Sequence, residues 1–182
     1  MAKSSRLTKI ALGVLAALIV TVFGAGWYFS SQVITPVMKD YDETYRIEIK
    51  AGKIVEKEFK ALPIQEVFID SPFGYRLHGL YIPVKNSKKT AIIAHGVTYT
   101  LMGSIKYVDI FRKRGFNGLV YDHRHHGKSG GENVTFGVYE KHDMKAVVDW
   151  ALEKCGQDCL VGVHGESMGA GIALEYAAID DR

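Results

Sequence analysis

The sequence predicts an α/β fold, a largely parallel sheet with helices on both faces, preceded by one transmembrane helix. Three observations predict it. Residues 90–94, 119–121 and 160–163 are short, nearly continuous apolar runs separated by stretches of helical periodicity. Runs apolar on both faces suit parallel strands covered on each side, and their alternation with helices argues for crossover connections. Next, Gly165-Glu166-Ser167-Met168-Gly169 joins the last run to a helical stretch rich in Ala and Gly. Finally, residues 10–29 contain no charge at all.

That uncharged segment comes first in the chain. Twenty residues at 1.5 Å rise span roughly 30 Å, the thickness of a bilayer core. It ends in Trp27-Tyr28-Phe29, side chains that suit the membrane interface. Lys3, Arg6 and Lys9 precede it and the next charge is Lys39. The positive-inside rule then makes residues 1–9 a basic cytoplasmic N-terminus and places the rest of the chain outside the cytoplasm. A cleaved signal peptide is a second reading, since Gly24-Ala25-Gly26 supplies small residues, and a buried core helix is a third. The length of the apolar stretch argues against the second, and its basic flank against the third.

Residues 30–63 carry alternating charge and read as a stalk with some helix, ended by Pro63. Residues 65–70 and 76–83 read as two strands. Between them Ser71-Pro72-Phe73-Gly74 has the residue order of a type I turn, so a hairpin is expected. After the run at 90–94, Ser104 can cap a helix with Ile105, Val108 and Phe111 inward, closed by Arg112-Lys113-Arg114 and Gly115. A second helix covers about 138–154, with Met144, Val147, Val148, Ala151 and Cys155 on one face. A third starts at Ser167 and runs over 168–178. Residues 64–182 form the α/β domain.

A hydrophobic share of 47% and a charged share of 24% are ordinary for a folded domain. The net charge of +3 comes partly from the N-terminal flank, the remainder is nearly balanced, and charge gives no case for nucleic acid. No zinc-type spacing and no repeat is present, and the His123, His125, His126 cluster lacks a carboxylate or Cys at ligand spacing, so no metal is expected. Cys155 and Cys159 span a helix-to-strand loop. They read either as a disulfide, permitted outside the cytoplasm, or as two buried thiols.

The chemistry concentrates at the pentapeptide. Gly-x-Ser-x-Gly is common by chance, but here it lies between an apolar strand and a small-residue helix, as a nucleophile elbow demands. Gly165 and Gly169 remove side chains that would clash in so tight a turn. A serine attacking a carbonyl needs hydrogen-bond donors for the oxyanion. The backbone N–H of Met168 is one candidate. The loop His95-Gly96-Val97 after the run at 90–94 offers the Val97 N–H as the other. Asp122 and Arg124 read as loop braces, and Tyr99 as either a pocket wall or an ordinary surface tyrosine.

Three landmarks occur in order: His95-Gly96, then Asp122-His123-Arg124-His125-His126-Gly127-Lys128-Ser129, then Gly165-Glu166-Ser167-Met168-Gly169. Together they resemble the α/β-hydrolase superfamily over roughly residues 64–181. The resemblance is nearest to serine aminopeptidase-like, or BAAT/dienelactone-like, bacterial hydrolases with an N-terminal membrane segment. It implies Ser167 as nucleophile, Val97 and Met168 as oxyanion donors, and no cofactor. The implied substrate is a small-molecule or peptide ester, thioester or amide. Two departures stand out. His125 occupies a position where the family's loop has Gly. In addition, the family's triad continues with an acid and then a His, whereas the 15 residues after Ser167 hold Asp180 and Asp181 but no His. None of the preceding histidines has the family's placement. The triad acid and base are therefore expected outside residues 1–182, which by themselves are expected to be a fragment with little or no activity. The alternative is a catalytically dead, membrane-tethered binding module, or a truncated product. The apolar strand at 160–163 is also expected to become a sheet edge.

Overall fold

The computed structural model describes residues 2–182, with side chains from Ser5 onward. Lys3, part of the basic flank, lies outside the described side chains. The chain forms two compact units, residues 1–36 and 37–182.

The first unit is a single helix, α1 (Ala2–Ile34), longer at both ends than the sequence pattern suggested. Its apolar side chains, from Leu7 through Phe23 to Ile34, are all exposed, and it is long and apolar enough to cross a membrane. Two of its hydroxyls are satisfied within the helix. Thr21 Oγ1 donates to the Ala17 carbonyl at 2.9 Å and Ser31 Oγ to the Tyr28 carbonyl at 2.7 Å. In lipid, where water is absent, such back-bonding removes the cost of an unpaired polar group.

The second unit starts at Val37, so the stretch read as a stalk divides. Residues 30–34 end α1, whereas α2 (Tyr41–Lys50) and α3 (Glu56–Lys60) belong to the α/β unit. Asp40 caps α2, its carboxylate accepting from the Glu43 N–H at 2.6 Å. Tyr41, Tyr45, Ile49, Ile54 and Phe59 then pack on the sheet side.

The sheet has five strands in the order β1-β2-β4-β3-β5: β1 (Gln65–Asp70), β2 (Arg76–Ile82), β3 (Lys89–Ala94), β4 (Asn117–Tyr121) and β5 (Leu160–Gly165). β1–β2 and β2–β4 are antiparallel, whereas β3 is parallel to both β4 and β5. The expected hairpin forms around the Ser71 turn. The Gly74 N–H reaches the Ser71 carbonyl at 3.3 Å, and Gly74 takes φ +83°, which glycine alone adopts freely.

Alternation along the strands feeds two cores. Leu77, Ile92, Leu119 and Tyr121 meet Met144, Val147, Ala151 and Ile172 of α5 (Glu140–Cys155) and α6 (Met168–Ala177). Ile82, Ile93 and Val120 face the other way, against Ile105 and Val108 of α4 (Ile105–Arg112). Burial on both faces explains why β3 and β4 read as continuous apolar runs.

Ser104 does not cap α4. It sits in helical geometry at the end of a 3₁₀ turn, Leu101–Ser104, and its hydroxyl is buried without a partner. Thr100 caps instead, accepting from the Met102 N–H. At the α5–β5 junction Cys155 and Cys159 form a disulfide. Beyond β5 no strand pairs with its outer edge among the described residues.

Candidate active site

β3 and β5 run parallel with Ala94 paired to Gly165, so their C-terminal ends deliver the residues 95–97 loop and the Ser167 turn to the same edge. Ser167 takes φ +54°, ψ −118°, a conformation L-residues rarely adopt, and its side chain is exposed. Strain of this kind costs about 1–3 kcal/mol and persists only where neighbours enforce it. The enforcement is visible. A Cβ on Gly165 would lie 2.3 Å from the Gly169 backbone, and one on Gly169 would lie 2.4 Å from the Ala94 carbonyl oxygen. Strand, turn and helix touch backbone to backbone, which is why both positions are glycine.

Gly96 faces the turn directly. A Cβ there would stand 3.3 Å from Ser167 Cβ. The N–H groups of Val97 and Met168 have no hydrogen-bond partner among the described residues. Two unspent donors thus flank the Ser167 turn, one of them at the N-terminus of α6.

The loop carrying Val97 is held by groups far apart in sequence. The Lys39 N–H donates to the Thr98 carbonyl at 2.9 Å, and the Thr98 N–H donates to His126 Nε2 at 3.3 Å. Asp122, wholly buried, accepts from the Leu101 N–H at 2.7 Å, from the Lys128 N–H at 3.2 Å and from the Tyr41 hydroxyl, and it meets His78 Nδ1 at 2.9 Å. Asp122 is therefore a brace, and so is Arg124, which packs 4.5 Å over the Tyr139 ring and bonds to Asn133. His125, where the resembling family has Gly, takes φ +61°. That left-handed geometry is the reason glycine suits the position, and the loop accommodates the histidine with a modest strain.

His95, His123 and His126 form a buried cluster behind this loop, with ring centres 4.5–6.2 Å apart. His95 Nδ1 donates to the Gly96 carbonyl while its Nε2 accepts from the His123 N–H, so the ring is neutral. His126 is arranged alike, between the Arg124 carbonyl and the Thr98 N–H. Desolvation pushes all three below the ordinary histidine value, His123 to about 3; the neighbouring cluster rings add to the effect at His95 and His123, and His125 adds to it at His126.

None of the seven histidines is hydrogen-bonded to Ser167 among the described residues. His78 is engaged by Asp122 and by Glu66 at 2.8 Å. His164 packs on Tyr107 and Phe111, and His142 on Phe73.

A cavity of about 240 Å³ opens beside Ser167, lined also by Gly96, Val97 and Tyr99. Its far wall holds side chains that the sequence did not single out: Glu48, Lys53 and Lys106. Lys106 Nζ pairs with the Glu166 carboxylate at 2.9 Å, tying α4 to the residue before Ser167. Burial lowers the Lys106 ammonium's affinity for its proton, but the Glu166 and Glu48 carboxylates outweigh this and hold it above the ordinary lysine value. The one available signal for Glu48 was its spacing from Thr44. The two are four residues apart, on one face of α2, and both are buried.

A strained strand-to-helix turn of this geometry, set between a parallel strand and a glycine-rich helix, is what the sequence pattern leads one to expect of the resembling family. The alpha/beta hydrolase fold family matches residues 92–182, and the chain belongs to it. An uncharacterized protein of Bacillus subtilis (strain 168), YqkD, is 37% identical over 169 residues, which is 93% of this chain and 55% of that one. The chain thus spans about half the length of the curated relative it matches. Among solved structures, the Pyrococcus furiosus esterase Pf2001 superposes with a TM-score of 0.56 at 35% identity, covering 66% of this chain and 48% of the esterase. A Xanthomonas campestris protein described as an α/β serine hydrolase without lid superposes with a TM-score of 0.51 at 23% identity, covering 64% and 56%, and shows the fold alone.

Proposed function

We propose that this chain carries the nucleophile half of a serine hydrolase that cleaves an ester, thioester or amide. Ser167 Oγ attacks the substrate carbonyl, and the Val97 and Met168 N–H groups hold the resulting oxyanion. The observation that carries this reading is the left-handed Ser167 turn flanked by two unspent backbone donors. The esterase likeness supports the reaction class. No histidine on residues 1–182 meets Ser167, and on this reading the triad histidine, and the acid that orients it, lie outside them. We further propose that α1 anchors the protein as a single span, with the N-terminus cytoplasmic and the α/β unit outside. The Cys155–Cys159 disulfide favours that side, because the cytosol keeps thiols reduced.

Residues 1–182 alone should hydrolyse p-nitrophenyl acetate with no more than the residual catalysis of an oxyanion hole without its triad, and Ser167→Ala should leave that rate within about twofold, because a serine without its base is a weak nucleophile. Rapid turnover abolished by Ser167→Ala would show that the base lies within these residues. The missing histidine contact also favours a second reading, a membrane-tethered binding module. That reading gains if Ser167 accepts no acyl-like electrophile at all.

A further inference from the structure

The cavity beside Ser167 has a feature that the nucleophile reading does not use. Glu48 is 1% exposed, yet its Oε2 has no hydrogen-bond partner among the described residues. The nearest cation, Lys106 Nζ, stands 3.9 Å away, beyond hydrogen-bond distance, and is turned to Glu166 at 2.9 Å. A buried carboxyl oxygen left in this state is costly, more so than the same group satisfied by a donor. The carboxyl lines the wall of the same cavity as Ser167.

The cavity wall also says what kind of group would complete it. Glu48 and Glu166 are balanced by Lys53 and Lys106, so the wall has no net charge with which to select an ion. An ionised carboxylate only accepts hydrogen bonds, so the entering group must donate. A volume of about 240 Å³ admits a short group rather than a long chain. We propose that Glu48 is a specificity-determining residue, accepting a hydrogen bond from a hydroxyl or amide N–H on the substrate group that fills this cavity. The site would then prefer a short, neutral, polar group over an alkyl group of the same size. As a statement about substrates this rests on Ser167 being the nucleophile. As a statement about ligand binding it does not.

The test uses the full chain in detergent and two ligands that differ by hydroxyl against methyl, glycolamide and propionamide. Binding is read from the backbone amide signals of Gly96 and Val97. Glycolamide should bind about tenfold more tightly, the worth of one hydrogen bond to a charged acceptor. Glu48→Leu should abolish the preference, while Glu48→Gln, which keeps the volume and one acceptor, should retain part of it. The amide spectrum checks that both variants fold. Equal affinities, a preference that survives Glu48→Leu, or no binding of either ligand at tens of millimolar would each overturn the proposal. The readout is binding and not turnover, so a failure of Ser167 as nucleophile would leave the outcome for Glu48 unchanged and the two failures are distinguishable.

Discussion

Replacing Gly169 by alanine is expected to destabilise the α/β unit by about 3 kcal/mol or more. The added methyl would lie 2.4 Å from the Ala94 carbonyl oxygen and 2.8 Å from that of His95. The first atom belongs to the last residue of β3, which is hydrogen-bonded in register to β4 on one side and β5 on the other, and the second to the residue that follows it. Backbone so pinned cannot move aside as a flexible side chain would. The start of α6 must lift instead, and with it the Met168 N–H. Gly171, two residues further along the same helix, has nothing within 4 Å of its notional Cβ. Alanine there should be neutral or stabilising by up to about 1 kcal/mol, the helix-propensity gain over glycine. Urea unfolding of both variants in detergent separates packing from propensity. A Gly169→Ala protein as stable as its parent would mean that α6 does not press on β3 as described.

Acidification is expected to cost nearly as much. His95, His123 and His126 all bind protons less readily when folded than the ordinary histidine value of 6.5, His123 titrating only near 3. The sign follows from linkage. Between the folded and unfolded values the unfolded chain holds more protons, so stability rises with pH through that window. The contribution is fully present above about pH 6.5 and is lost as pH falls toward the folded values. The charges facing the cluster are Asp122 and Glu140, which favour protonation, and His125, which opposes it. Burial outweighs them all. Taking the unfolding free energy at pH 7.5 and again at pH 5 should show a loss of about 2–4 kcal/mol. His123→Phe, which keeps an aromatic ring among its neighbours, should reduce that loss. A flat profile would mean that water reaches the cluster.

Much of the fold was legible because its strands are apolar on both faces and its helices carry a clear apolar stripe. β3 and β4 owe their continuous runs to burial from both sides, and Met144, Val147, Val148 and Ala151 mark the inner face of α5. The elbow was legible from five residues in a strand-to-helix context. What escaped was built from contacts without a local signature. α2 and α3 are charged segments whose burial depends on polar Thr44 and Glu48 as well as on apolar residues, so no strong apolar period announced that they pack on the domain. Tyr41, His78 and Asp122 meet across 37 to 81 positions, and Lys106 reaches Glu166 across 60. Ser104 was a plausible cap by residue type, but Thr100 begins the 3₁₀ turn one step earlier and takes the role. The two cysteines left open a choice that only the geometry of the α5–β5 loop decides.

The central claim is that Ser167 is a nucleophile poised beside a preformed oxyanion hole. A small alkylboronic acid tests it without requiring turnover, because boron accepts the serine oxygen and becomes a tetrahedral anion resembling the acyl-transfer intermediate. With the chain extended to carry the proposed triad acid and histidine, ¹¹B NMR should show a tetrahedral adduct, the Val97 and Met168 amide protons should move downfield, and Ser167→Ala should abolish both signals. A boronate that stays trigonal, or an adduct that leaves those two amides unmoved, would contradict the assignment of the nucleophile and its oxyanion hole.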